Sequence, residues 1–407
     1  MRKAGLVFLI LTVASPCFAK YSGGTGEPND PYQIADVTDL LILAADVNDY
    51  NKCFIMTADI DIDPNLPGRQ VFNTSVIASG TGYWDDFNGV AFDGVFDGAG
   101  HKIVNLTIDT NGLANNYLGL FGYIDSNSEI KDLGIENVLI TNGYNSNITG
   151  GFAGHNSGTV SNCFLTGEVA GYAIIGGFIG SNSGQISNCY SSADVAGTYL
   201  YTGGFCGINQ GDITRCCSTG HVSGLYQTGG LVGFADGSPT VSFSFWDVNT
   251  SGQTISAGGI GKTTIEMQTE GTFTIAGWDF VNIWHICEST NYPKLLWQIL
   301  PGDIVCPDGV DTFDLAELCE QWLFEEIPAD LAPPPSGDGI VDFADFSIFA
   351  SQWGITNDIV QLLDFTEQWL RIGLPICSAD ISPLPDGDSR VNFDDFAVMA
   401  NDWLEGF

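Results

Sequence analysis

Acidic residues outnumber basic ones 49 to 12 in this chain of 407, giving a formal charge of −37. A surface that negative repels phosphate backbones, which argues against a nucleic-acid partner and leaves divalent cations and neutral or cationic surfaces as candidates. The length allows two or three domains, and the charge is uneven: residues 301–407 hold 22 Asp and Glu against Arg371 and Arg390, a net of −20.

The N-terminus reads as a secretory signal over residues 1–19. Arg2 and Lys3 precede a short apolar run from Gly5 to Ala14, and Cys17-Phe18-Ala19 ends in a small residue suited to cleavage before Lys20. That run is too short for a membrane span, and no later segment supplies one. The mature chain is expected to be exported, either secreted or held at the cell surface.

Tyr21 to Asp30 is a Gly/Pro/Asp-rich lead-in. Leu40, Leu41, Ala44 and Ala45 then recur at helical spacing, predicting a helix over Val37 to Val47 with Thr38 as its N-cap. Phe54 to Ile62 is strand-like. Helix and strand together are expected to cap the first open end of a rod-like fold. Residues 66–90 read as loop. From Phe92 to Ile108, apolar residues alternate and are broken by glycine, as in short strands joined by tight turns. His101 follows a turn glycine and is expected to be a turn residue.

Four near-copies come next: Gly150-Gly151-Phe152-Ala153-Gly154, Gly176-Gly177-Phe178-Ile179-Gly180, Gly203-Gly204-Phe205-Cys206-Gly207 and Gly229-Gly230-Leu231-Val232-Gly233. Their first glycines are 26, 27 and 26 residues apart. A fixed period in the twenties marks a solenoid. Short strands with no helical pattern between them predict a right-handed parallel β-helix, mainly β, with repeats over about 115–246 inside a domain of 20–300. The repeat defines two inner ladders. One is Phe152, Phe178, Phe205 and Leu231. The other is Cys163, Cys189 and Cys216, with Leu133 before and Ser244 after. Stacked strands lie about 4.8 Å apart, whereas a disulfide wants Cβ atoms near 3.8 Å. The ladder cysteines are therefore expected to be reduced apolar filler. His155 and His221 are placed in turns of different coils. The glycine-led starts, with Ser161-Asn162-Cys163-Phe164 and Ser187-Asn188-Cys189-Tyr190, resemble the GLUG-motif repeat family over roughly 115–233. That resemblance implies an exported or cell-surface protein without a defined catalytic site.

Trp278, Trp284 and Trp297 are expected to cap the last coil; a sugar-stacking platform is the sharper alternative. Cys287–Cys306 and Cys319–Cys377 are candidate bridges.

Residues 301–407 form a second, small all-α repeat system with units over about 303–354 and 355–405. Leu315/Leu318/Trp322, Phe346/Phe349/Trp353, Leu362/Phe365/Trp369 and Phe396/Met399/Trp403 each sit at i, i+3 and i+7, one face of a helix. Asp338, Ile340, Asp342 and Asp345 match positions 5, 7, 9 and 12 of an EF-hand loop, and Asp388, Arg390, Asn392 and Asp395 match them again. Asp330 with Ser336, and Asp380 with Asp386, would supply positions 1 and 3 across a four-residue insertion. Calcium wants six to eight oxygens on such a flexible loop, a backbone carbonyl at position 7 included. Asp303, Asp308, Asp311 and Asp314 look like a shortened loop. Asp at position 12 in loop-helix repeats resembles the dockerin family, which implies calcium-dependent folding and docking to a cohesin-like partner or cell-envelope component.

Two main functional readings remain, beside a purely structural envelope spacer that differs from the first only in lacking a ligand. One is a non-catalytic module presenting a surface for glycan or protein, with a calcium-binding tail. The other is a polysaccharide hydrolase or lyase. An enzyme of that kind needs paired carboxylates or a calcium cluster with a base. The eight basic residues between Lys20 and Pro301 are scattered. The one dense acidic patch, Asp85, Asp86, Asp93 and Asp97, reads as turns. The first reading is preferred.

Overall fold

The computed structural model describes residues 20–82, 86–144, 147–300, 302–305 and 314. Residues 1–19, expected to be a signal, and nearly all of 301–407, where the small all-α repeat units are expected, lie outside the described residues. The chain divides into two compact units, residues 1–267 with 271–278, and residues 268–270 with 279–407.

The first unit is built from parallel strands. Ile148–Gly150, Ala153–Asn156, Thr159–Ser161 and Phe164–Gly171 make one coil. Each strand pairs in parallel with its counterpart 26 residues on: Ile148 faces Ile174, Ala153 faces Ile179 and Thr159 faces Gln185. The next coils repeat the pattern through Tyr201–Gly203 and Gln227–Gly229. Stacking produces a four-stranded sheet, a five-stranded sheet and one long sheet. This is the parallel solenoid architecture that the period predicts.

The glycines of the repeat are there because nothing larger fits. A Cβ on Gly176 would lie 1.9 Å from the Ile179 carbonyl oxygen, and one on Gly177 2.2 Å from that of Gly204. The third glycine of the motif lets two sheets meet, since a Cβ on Gly180 would lie 2.8 Å from Ile148 Cγ2.

Both inner ladders are present. Phe152, Phe178 and Phe205 are fully buried and stacked, with ring centroids 4.6 and 4.8 Å apart. Cys163, Cys189 and Cys216 are buried free thiols. The Phe164–Gly134 register sets Leu133 before them, and Ser244 Oγ accepts from the Cys216 amide after them.

Other expectations are corrected. The first helix, α1, spans Val37–Ala45 and its N-cap is Asp36, whose carboxylate accepts from the amides of Thr38 and Asp39. Asp36 wins because its backbone is extended while Thr38 already lies inside the first turn. The face α1 buries is Leu40 with Leu43, not Leu41 with Ala45. α1 is also a crossover within the first coil, because Tyr32–Ile34 before it pairs in parallel with Cys53–Met56 after it. Within the loop-like 66–90 stretch, Phe72 and Ile77 bridge in parallel to Ile108 and Phe121. His101 lies in the strand Val95–Val104, and its Nδ1 is 3.1 Å from Asp59. His155 lies in the strand Ala153–Asn156, not in a turn.

Trp278 covers the last coil as expected: it packs against Phe273, and its Nε1 donates to the Phe243 carbonyl at 2.8 Å. Trp284 and Trp297 belong to the second unit, where Trp284 is fully buried. Cys287 is disulfide-bonded; Cys306, Cys319 and Cys377 lie outside the described residues.

Candidate functional site

Along a strand, side chains alternate between the two faces of a sheet. On the inner face, Ile175 of the four-stranded sheet joins the main core. On the outer face, Ile148 and Ile174 join a second apolar cluster with Tyr117 and Ala173. Ile174 is only 1% exposed although it points away from the core. The outer faces of the four-stranded and five-stranded sheets therefore meet in a concave corner. Tyr201 of one sheet stacks on Phe234 of the other at 4.7 Å and 13°.

This corner has two rims. One is a column of tyrosines that crosses four coils at spacings of 28, 27 and 27 residues: Tyr144, Tyr172, Tyr199 and Tyr226. Successive ring centroids are 4.6, 5.0 and 6.0 Å apart. Tyr144, Tyr199 and Tyr226 are 69%, 41% and 64% exposed. Tyr172 packs against the corner cluster, which joins column and corner into one surface. The glycine period alone does not point to this column; a matching periodicity of tyrosine is the signal that could have found it. The other rim is polar. Ser183 Oγ donates to Gln210 Oε1 at 3.0 Å, and Gln210 Nε2 to Asp236 at 2.7 Å. Beside it Ser157, Ser183, Gln185 and Gln210 help line a shallow cleft of about 360 Å³.

Among the described residues, His155 and Ser157 are the nearest approach to catalytic geometry. His155 Nε2 is 3.0 Å from Ser157 Oγ, and the imidazole stacks on Tyr123 at 4.5 Å. Burial lowers the His155 pKa to about 4. A general base works best with a pKa near the operating pH, so this imidazole is a weak one.

Among the described residues five lysines are held in ion pairs, while Arg69 donates to the Asp61 and Pro67 carbonyls. Lys52 pairs with Glu27, Lys102 with Glu136, Lys131 with Asp97 and Lys262 with Glu266, all at 3.2 Å or less, and Lys20 pairs with Asp46 and Asp49. Asp97 lies in the strand Val95–Val104 and not in a turn, where it also accepts from the Ala99 amide, and Asp93 accepts from Asn127, 34 residues on.

The residues expected to form calcium loops, Asp330, Ser336, Asp338, Ile340, Asp342, Asp345, Asp380, Asp386, Asp388, Arg390, Asn392 and Asp395, all lie outside the described residues. Asp314 of the shortened loop is described: it is buried and accepts the amides of Ile304 and Val305 at 2.6 and 2.8 Å. Among the described residues, no cluster of three or more His, Cys, Asp or Glu is placed to hold a metal ion. No helix among them is long and apolar enough to cross a membrane.

The GLUG motif matches residues 171–196, the segment holding Gly176 to Gly180 and Ser187 to Tyr190. Halomucin of Haloquadratum walsbyi is 34% identical over 150 residues, which is 36% of this chain and 2% of that protein. An Evansella cellulosilytica protein described as a candidate Gly-rich membrane protein is 46% identical over 68 residues, 16% of this chain and 8% of that one. This chain thus matches only a small fraction of either relative's length. A solved Bacteroides ovatus structure, described as a candidate immunoglobulin A1 protease, superimposes with a TM-score of 0.52 at 20% identity. The match covers 68% of this chain and 96% of that one, and it is a likeness of fold.

Proposed function

We propose that this chain is an exported, non-catalytic solenoid module whose tyrosine-rimmed corner binds a polymer, glycan or protein. In the same reading residues 301–407 bind calcium through the two acidic loops and dock the module to a cohesin-like protein or cell-envelope component. The observation that carries the binding role is the tyrosine column. Three of its four rings stand in solvent across successive coils, where they add nothing to the core. Exposed aromatic patches of that extent mark interaction surfaces. The signal-like N-terminus and the absence of a spanning helix among the described residues fit an exported location.

The test uses residues 20–407 with calcium or with EGTA against a panel of polysaccharides and surface-protein extracts. Both retained protein and newly released chain ends are quantified. Retention without new ends supports the reading, and loss of retention in EGTA assigns the tail its part. Sustained release of ends overturns it in favour of a polysaccharide hydrolase or lyase.

A further inference from the structure

Resting on that scaffold reading, we propose that the occupant of the corner is an uncharged glycan chain lying along the tyrosine column. Four observations lead there.

The surface is aromatic along one line, with rings in more than one orientation: Tyr144 is tilted 56° to Tyr172. Tyr172 and Tyr199 stack at 12°, and Tyr226 stands at 88° to Tyr199. The chain already seats one of its own rings on the same outer surface, because Phe87 lies 5.1 Å from Tyr117 and 4.8 Å from Tyr123. The C–H face of a pyranose is flat, apolar and of similar size, and packs on aromatic rings as another ring does.

The far rim offers hydroxyl and amide groups, Ser157, Ser183 and Gln210, which suit a polyhydroxylated ligand. The surface carries no cation: the rings, Ile174 and Ile208 are neutral, His155 is uncharged at neutral pH, and Asp236 sits on the rim. A polyuronate or sulfated glycan would meet repulsion here from a chain of net charge −37.

An extended peptide fits less well. Peptides dock on sheets by taking the free N–H and C=O groups of an edge strand. Here the strands bordering the corner pair coil to coil, as in Ile174 with Ile148 on one side and Tyr201 on the other, so the face presents side chains and not edges.

Four coils at about 4.8 Å make a strip of roughly 14 Å, so affinity should rise with oligomer length up to about that span and then level off. The experiment is calorimetric titration of residues 20–407 with neutral glucan, mannan and xylan oligomers of increasing length. Polygalacturonate and heparin serve as anionic probes, and surface-protein extracts as the protein arm. Tyr199→Ala and Tyr226→Ala, both at exposed rings, are titrated in parallel after circular dichroism confirms their fold. The expected result is binding of a neutral series that lengthens to a plateau, with each variant weaker by roughly 3- to 10-fold.

Neutral binding untouched by both variants would overturn the corner assignment and leave the scaffold reading standing. Tyrosine-dependent capture of a protein, or salt-sensitive binding of the anionic probes, would overturn the uncharged-glycan assignment alone. No retention of any probe would overturn both.

Discussion

Asn156 and Asn182 join two successive coils inside the solenoid: the Asn156 side-chain amide donates to the Asn182 carbonyl oxygen at 2.8 Å. Asn182 repeats the bond to Asn209 at 2.8 Å, and all three side chains are fully buried. Each carbonyl also accepts the amide of the glycine two residues on, Gly158, Gly184 or Gly211, which fixes the turn. Turn and coil-to-coil contact therefore depend on the same side chain. Asn182→Ala would remove both ladder bonds and the Gly184 turn bond, at about 1 kcal/mol each, and leave Asn156 and Asn209 with only the bonds to their own turn glycines. We expect a loss of about 3 kcal/mol in urea unfolding. The adjacent exposed-rim change Ser183→Ala should stay within about 0.5 kcal/mol. Equal midpoints for the two variants would show that the ladder adds no stability.

His155 makes stability depend on pH in a defined window. Its pKa is lowered to about 4 by burial under the Tyr123 ring, while an unfolded histidine titrates near 6.5. Between those values the unfolded chain takes up a proton that the folded chain refuses. Stability is therefore full above about pH 6.5 and falls as pH drops toward 4, by about 2 kcal/mol at pH 4.5. Asp46 acts lower down. Its carboxylate is held at about 2, chiefly by the Lys20 ammonium, so its contribution is lost only as pH falls below the ordinary carboxylate range. Urea midpoints from pH 7 to 4.5 in wild type and His155→Gln should separate the two. The variant should lose most of the slope above pH 4.5, and an unchanged slope would mean that another group titrates.

The glycine period made the coils, the Phe178 column and the Cys189 column legible, because strict stacking forces equivalent residues onto the same spot. The Asn182 ladder was less visible, since asparagine before Ser-Gly reads as a surface turn and its burial is decided by neighbours 26 and 27 residues away. His101 illustrates the same limit. Its contact, Asp59, lies 42 residues earlier, and only the stacking of the irregular first coils brings the two together. The corner escaped notice because it depends on two sheets meeting at an angle, which periodicity along one strand does not report. The acidic loops around Asp338 and Asp388 remain expectations from spacing.

Burial should also govern thiol chemistry. Desolvation raises the pKa of Cys189 well above that of a free thiol and raises those of Cys206 and Cys217 as well. The thiolate is the reactive form, so these groups are doubly protected, by access and by protonation. Cys53 is only half-buried, beside Lys52 and Glu27, with a smaller rise. Brief alkylation of native protein followed by peptide mapping should mark Cys53 ahead of Cys163, Cys189, Cys206, Cys216 and Cys217. All six should react in denaturant. Fast labelling of Cys189 in the native state would show that the coils open on that timescale.

Two glycines distinguish close packing from backbone conformation. Gly177 lies in the segment matched by the GLUG motif, and a Cβ there would approach the Gly204 carbonyl oxygen to 2.2 Å and Ser191 Oγ to 2.7 Å. The carbonyl belongs to the next coil's backbone, so relief requires two coils to separate where Phe178 and Phe205 are in contact. Gly237 has open space around its Cβ position but a φ of +76°, which costs an L-residue about 1–2 kcal/mol. Gly177→Ala should therefore destabilise by about 3 kcal/mol or more, with strain at the coil contact added to lost packing. Gly237→Ala should cost about 1 kcal/mol. In a solenoid each coil is held only by its neighbours, so the Gly177 change should also broaden the unfolding transition by uncoupling the coils on either side. Matching losses and equally sharp transitions for the two variants would rule out coil-to-coil contact as the reason for the repeated glycine.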